Sequence, residues 1–185
     1  MEEGLAFAEI LAAARAGEDW AVTLVYRDLH PGLARYLRAN EPRVAEDLES
    51  EVWLAVAQRM HSFEGDAEHL RVWVFSIARR RIADFRRTAA RRRTDPVESH
   101  RLDQLDLRDP ESVVVEGLSG EEAADFVVRN LPPDQADIVL LRVLGGLEVA
   151  EVAHILGKKP GTIRVLQHRG LRTLAQRLTG KSVTR

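Results

Sequence analysis

At residue 94 the charge of this chain changes sign, and that inversion limits what it can fold into more than any other feature. Residues 79–93 hold eight arginines against one acid, Asp84, a net of +7. Residues 95–122 hold nine acids against Arg101 and Arg108, a net of −7. The acidic stretch also contains Pro96 and Pro110, has weak periodicity and carries few apolar residues before Val113. Such a segment buries too little apolar surface to offset the entropy of ordering it, so it reads as a linker. At 185 residues and 45% hydrophobic composition the chain can build one sizeable core or two small ones. The linker decides for two.

The formal net charge is −2, so no global excess of positive charge draws the protein to nucleic acid or to a membrane. Any such attraction must be local. The chain has no cysteine, which excludes disulfides and thiolate metal sites and fits a reducing compartment. The first residues, "MEEGLAFAEILAAARAGEDW", have an apolar stretch too short to span a bilayer and no basic leader. A cytoplasmic protein with no membrane contact of its own is expected.

The apolar positions keep helical spacing throughout. Val25, Tyr26, Leu29, Leu33, Tyr36 and Leu37 predict a first helical region, with "HPG" at residues 30–32 expected to kink or restart it. After "NEP", Val44, Leu48, Val52, Ala55 and Val56 form one stripe, while Glu46, Asp47, Glu49, Ser50 and Glu51 take the other faces. "HSFEGDAEH" reads as a loop. Beyond it Val72, Phe75, Ala78, Ile82 and Phe85 predict a long helix with an arginine-rich outside, and Trp73 and Phe75 are read as packing groups. After the linker, "SGEE" at residues 119–122 predicts a capping box, and a helix ends before "LPP". Another runs from about Asp134 to Leu144 and stops at "GG". No strand-like alternation or internal repeat is evident. The fold class is therefore all-α: an extension over 1–19, a helical domain over 20–94, the acidic linker 95–118 and a second helical domain over 119–179.

Residues 149–168 carry the most specific local pattern, that of a helix-turn-helix. Ala153 falls where two helices cross closely, Gly157 at the turn, and Val152, Leu156, Ile163 and Leu166 on the inner faces. Gly157 can end the first helix in a left-handed conformation, and Pro160 can start the second because a first-turn amide needs no intrahelical partner. Thr162, Arg164, His168 and Arg169 then lie toward the outside, with Lys158 and Lys159 at the positive N-terminal end, suited to phosphates. From Val152 to Arg185 there are eight Lys or Arg and no acid, which favours DNA over an ordinary solvated helical hairpin.

The order of these features resembles the extracytoplasmic-function sigma factors of bacteria. The resemblance runs over "AEDLESEVWLAV", "SFEGDAEHLRVWVFSIARRRIADFRR" and "LPPDQADIVLLRVLGGLEVAEVAHILGKKPGTIRVLQHRGLRTL", about residues 20–178. It implies that residues 20–94 are sigma region 2, which docks on the clamp helices of the polymerase β′ subunit and opens the −10 promoter element. Residues 119–179 are then region 4, which reads the −35 element and contacts the β flap. By this resemblance Asp47, Leu48 and Glu51 meet the β′ clamp, where acidic side chains pair with a basic partner. Phe63, Glu64, Gly65 and Asp66 belong to a loop that holds a flipped −10 base, and Arg79, Arg80, Arg86 and Arg87 follow the melted backbone. Lys158, Lys159, Gly161, Thr162, Arg164, His168 and Arg169 contact the −35 element. Core RNA polymerase and promoter DNA are the implied partners, together with an anti-sigma factor that covers the polymerase- or DNA-binding faces.

The chain departs from the family pattern at several positions. Glu64 stands where a basic residue is usual, the loop is a residue longer, Arg80 replaces an asparagine and Ser50 a glutamine. Glu148 replaces the serine that usually caps the first helix of the motif, a change expected to cost that cap about 1 kcal/mol.

Two other functions fit less of the sequence. A conventional operator-binding regulator normally dimerises on paired half-sites, and no dimerising helix is evident. A metal-dependent nuclease built on Glu46, Asp47, Glu49 and Glu51 lacks an HExxH motif, a glycine-rich phosphate loop, a nucleophile elbow and a metal-ligand His pair. His30, His61, His69, His100 and His154 are scattered and suit surface or capping positions. No catalytic residue, metal site or cofactor is therefore expected. With two basic surfaces on a slightly acidic chain, binding to free DNA is expected to be weak and to fall steeply with salt, becoming strong only on polymerase. Tight binding of a promoter by the purified chain alone at physiological salt, in a filter or anisotropy assay, would contradict this.

Overall fold

The computed structural model describes residues 7–92 and 120–182. Among them the regular elements are eight α-helices and one short 3-10 turn. These are α1 (Phe7–Ala16), α2 (Asp19–Asn40), α3 (Ala45–Arg59), the 3-10 turn Met60–Ser62, α4 (Ala67–Arg92), α5 (Gly120–Asn130), α6 (Pro133–Val143), α7 (Val149–Leu156) and α8 (Pro160–Ser182). The chain divides into two compact units, with the boundary after Ile82, inside α4. The acidic linker 95–118 and Ser119 of the expected capping box lie outside the described residues.

In the first unit α2 buries Val25, Leu29, Leu33, Tyr36 and Leu37, as its spacing predicts. Tyr26 instead sits at the rim, 39% exposed. At "HPG" the helix does not restart: α2 continues through Pro31. Pro31 removes the amide that the Arg27 carbonyl would accept from, but both residues are exposed, so water can satisfy that carbonyl. Leu29 and Leu33 meanwhile anchor the helix to the core on either side of the proline.

The centre of this core is a contact between α2 and α4. Tyr36 and Phe75, both essentially fully buried, meet edge to face with centroids 5.7 Å apart. Aromatic edges and faces attract through their quadrupoles, adding about 1 kcal/mol to the burial itself. Val52 and Val56 of α3 and Leu70, Val74, Ala78 and Ile82 of α4 are buried with them. The buried row of α4 thus advances in four-residue steps from Leu70; of the stripe expected from the sequence, Phe75, Ala78 and Ile82 are buried, while its two ends, Val72 and Phe85, are only half-buried. Rows at four-residue spacing run obliquely along a helix, as packing at a crossing angle requires. Two ion pairs bracket α4, Arg71 with Asp28 of α2 at 3.2 Å and Arg81 with Glu51 of α3 at 3.5 Å. Residues 1–19, set apart by sequence as an extension, contribute α1 to the same unit. Its Leu11 and Ala14 are buried, and it packs on α2 and on the 3-10 turn.

The second unit packs α5, α6 and α7 around α8. Pro133 opens α6 at its first position, where no amide is required. α6 buries Ala136, Ile138, Val139, Leu140 and Leu141, and α8 answers with Ile163, Leu166 and Leu174. Leu131, Ala136, Val139 and Leu174 form a cluster sealed by the half-buried Phe126, Val127 and Leu171. Gly170 lets α8 approach closely, since a Cβ there would lie 3.2 Å from Leu131 Cδ1 and 3.4 Å from Val139 Cγ2.

The expected loss of a cap at Glu148 is corrected by the structure. The Glu151 carboxylate accepts the Glu148 amide, and the Glu148 carboxylate accepts the amide of Glu151, so the two glutamates form a reciprocal capping box. Glu148 also pairs with Arg142 of α6 at 3.3 Å. A longer side chain than serine reaches both partners, so the Glu148 and Glu151 amides at the start of α7 are served.

Gly170→Leu is expected to overpack the α6–α8 contact and destabilise the second unit by about 2 kcal/mol. Hydrogen exchange should read this as loss of protection in α6 and α8. All three tryptophans, Trp20, Trp53 and Trp73, lie in the first unit, so its fluorescence-monitored unfolding should not move. Unchanged exchange in α6 and α8 would contradict the close packing.

Candidate nucleic-acid interface

The sequence-predicted residues fall on three separate surfaces. The first is the outer side of α3. Asp47 and Glu51 are one turn apart and exposed, with Glu51 in its ion pair to Arg81. Leu48 does not share that surface. It is 4% exposed and belongs to the core side of the helix with Val52 and Val56, which follows from its place in the apolar stripe. The exposed face continues instead through Leu54, which is 60% exposed. An apolar residue lying off the stripe of an amphipathic helix was the signal that could have found it. Beside it the Tyr26 ring stacks on His30 at 4.7 Å and tilts against Trp53 at 4.8 Å, and His30 meets Glu49.

The second surface is the loop before α4 together with the arginines of α4. Phe63 is half-buried, whereas Glu64, Gly65 and Asp66 are exposed. The Phe63 ring stacks on Trp73 at 5.0 Å with 29° between the planes. Trp73 is therefore a packing group, but one that supports the loop rather than the deep core. Asp66 caps α4: its Oδ1 accepts the His69 amide at 3.0 Å and lies 2.8 Å from His69 Nδ1. The His69 amide, followed by the His69 side chain, holds the Asp66 carboxyl below its ordinary pKa. Arg80, Arg86 and Arg87 are exposed and Arg79 is half-buried. Arg87 is tied to Asp84 one turn back.

The third surface is the N-terminal half of α8. Gly157 ends α7 with φ 62°, and the Lys158 amide returns to the Ala153 carbonyl at 3.0 Å, a left-handed helix stop that only glycine adopts cheaply. Ala153 is buried, as are Val152, Ile163 and Leu166 of the expected inner faces, while Leu156 is half-buried. Lys159, Gly161 and Arg164 are exposed, and Thr162, His168 and Arg169 are half-buried. Lys158 bonds Asp134 of α6 at 3.0 Å. Arg172, absent from the sequence-derived set, is exposed two turns beyond Arg164 on the face of Arg164 and His168, opposite Ile163, Leu166 and Gly170. Its helical spacing from Arg164 was the available signal.

Among the described residues no three His, Cys, Asp or Glu side chains group closely enough to hold a metal ion, and no helix is long and apolar enough to cross a membrane.

Comparison with known proteins finds two family models on the chain. The family model described as Sigma-70 region 2 matches residues 25–92, and that described as Sigma-70, region 4 matches residues 121–174. The chain is 37% identical over 173 residues to the ECF RNA polymerase sigma factor BldN of Streptomyces coelicolor, which covers 92% of this chain and 65% of that protein. It is 33% identical over 157 residues to the ECF RNA polymerase sigma factor ShbA of Streptomyces griseus, covering 79% of this chain and 81% of the relative. The chain thus spans just under two thirds of BldN and about four fifths of ShbA. In fold it is similar to CnrH, solved in complex with the cytosolic domain of CnrY, with TM-score 0.64, 16% identity and coverage of 94% and 97% of the two chains. The sigma factor RpoE of Bartonella quintana, solved with the anti-sigma factor NepR, gives TM-score 0.64 and 21% identity, covering 83% and 94%.

A helical unit bearing an arginine-rich helix and a helix-turn-helix unit on one chain, each matched to a region of the same family, define a two-region sigma-type protein. The chain belongs to the sigma-70 family, in its ECF group of RNA polymerase sigma factors. That family is not known for enzymatic activity.

The Asp66 cap has a pH signature. Because the folded-state pKa is depressed, the stabilisation is complete above the ordinary carboxylate value of about 3.9 and is lost as pH falls through the lower folded-state value. An NMR titration is expected to give an Asp66 midpoint below that of an unstructured aspartate. A midpoint at or above it would remove the cap from the loop.

Proposed function

We propose that this chain is a non-catalytic initiation factor: polymerase supplies the chemistry, and the chain supplies promoter choice and the trapping of unpaired bases. Residues 20–94 act as the region 2 domain, 95–118 as the linker and 119–179 as the region 4 domain. Asp47 and Glu51, with Leu54 beside them, dock a basic helix pair of the polymerase β′ clamp. Leu48 contributes by holding α3 in place. The Phe63–Asp66 loop receives a flipped −10 base, and Arg79, Arg80, Arg86 and Arg87 track the melted strand. Lys158, Lys159, Gly161, Thr162, Arg164, His168 and Arg169 meet the −35 element, the exposed Lys159 and Arg164 most directly, and the same domain lies against the β flap. The chain works in the cytoplasm without metal or cofactor.

The observation that carries this reading is the coexistence of two separate cationic helices, α4 and α8, on one chain. An operator-binding regulator accounts for α8 and leaves α4 unexplained. An anti-sigma factor covering the α3 or DNA-facing surfaces is expected as the inhibitor, in keeping with family membership and with the NepR-bound relative.

The direct test is multi-round transcription by core RNA polymerase on host genomic fragments, with and without this protein, followed by mapping of 5′ ends. New, discrete starts sharing upstream motifs are expected. An active core that gains no starts, with a protein that fails to bind it, would leave the operator-binding regulator. Asp47→Arg is expected to weaken core binding about tenfold. Arg164→Ala is expected to lower initiation from −35-dependent promoters about tenfold without changing core binding.

A further inference from the structure

We propose that Arg15, on a helix outside the matched region 2, is the positioning residue that holds the −10 loop in its base-receiving shape. The inference rests on the reading of the Phe63–Asp66 loop as the acceptor of a flipped base.

The guanidinium of Arg15 grips the loop at two points. Its Cζ lies 5.6 Å from the centroid of the Phe63 ring, and its Nη2 donates to the Gly65 carbonyl at 3.0 Å. The Phe63 ring stacks on Trp73 of α4 as well. The loop is thus tethered both to α1, through Arg15, and to α4, through Trp73. Gly65 is folded tightly within this clasp, with φ 139°, and a Cβ there would meet His69 Cβ at 2.6 Å and Phe63 Cζ at 3.2 Å. Asp66 then fixes the far end of the loop as the cap of α4. The outer edge, Glu64, Gly65 and Asp66, is exposed to water.

A loop that must capture an unstacked base gains affinity when its own ordering cost is already met. Cation–π attraction and a charge-assisted bond to one carbonyl supply that ordering from a residue 50 positions away in sequence. α1 is seated firmly enough to serve as the anchor, because Leu11 and Ala14 are buried and the helix packs on α2 and on the turn leading into the loop. Arg15 therefore acts through the loop, and its removal should blur base choice rather than abolish polymerase binding.

The test uses holoenzyme assembled from core polymerase and the full chain, on a promoter whose start the wild-type protein defines. Wild-type protein that yields no start overturns the sigma reading itself, before any variant is made. With starts in hand, initiation is measured on the native −10 element and on single-base variants of it. Arg15→Met keeps the packed stem and removes the guanidinium, and Arg15→Lys keeps a cation able to reach the ring and the carbonyl. The discrimination between native and substituted −10 bases is expected to fall about tenfold in Arg15→Met. Arg15→Lys should recover most of it, and core affinity should stay within about twofold in both. Phe63→Ala combined with Arg15→Met should lose little beyond Phe63→Ala alone, since the two side chains act through one contact. Discrimination that stays at the wild-type ratio in Arg15→Met overturns the proposal, whether or not total initiation falls. So does an equal loss in Arg15→Lys and Arg15→Met, which would mark a purely structural role.

Discussion

The contact between Tyr36 and Phe75 governs much of the first unit. It fixes the rotation of α4 against α2, and α4 carries both the arginine surface and, at its N-terminus, the end of the loop. With Phe75 turned inward, Trp73 is carried to the side of the helix where Phe63 can stack on it, and Arg80, Arg86 and Arg87 face water. A helix rotated by one residue, about 100°, would bury arginine and lose the stack. Burying an unpaired guanidinium costs far more than any aromatic contact returns, so packing and electrostatics select the same rotation.

In the second unit glycine plays the corresponding part. Gly157 reverses the chain between α7 and α8, and Gly170 lets α8 settle on α6. Together they set the direction of the recognition helix, while the capping box at Glu148 and Glu151 holds the start of the helix before it. The cationic residues then need only be exposed on the side away from Ile163, Leu166 and Gly170. Arg164 and Arg172 meet that condition by spacing alone.

Much of this was legible in the sequence because helical periodicity and turn chemistry are local. The stripe of α3, the buried positions of α2 and the αL stop at Gly157 follow from residues within a few positions of one another. The misreadings have equally specific causes. The proline rule counts a lost hydrogen bond, but Pro31 lies on the water side of a helix whose other side is anchored. The cap ranking treats Glu148 alone, whereas its partner Glu151 and the pairing with Arg142 make glutamate effective there. Leu48 was grouped with its acidic neighbours by motif, although its own place in the apolar stripe put it inside.

The sequence by itself determined the all-helical class and the helix-turn-helix, since each depends on composition or on neighbours along the chain. Only the tertiary structure decided that Arg71 pairs with Asp28 and Arg81 with Glu51, that Lys158 is held by Asp134, and that α1 reaches the loop through Arg15. Those contacts join residues 24 and 50 positions apart. Their geometry depends on how helices cross, and periodicity along a single helix carries no information about the crossing.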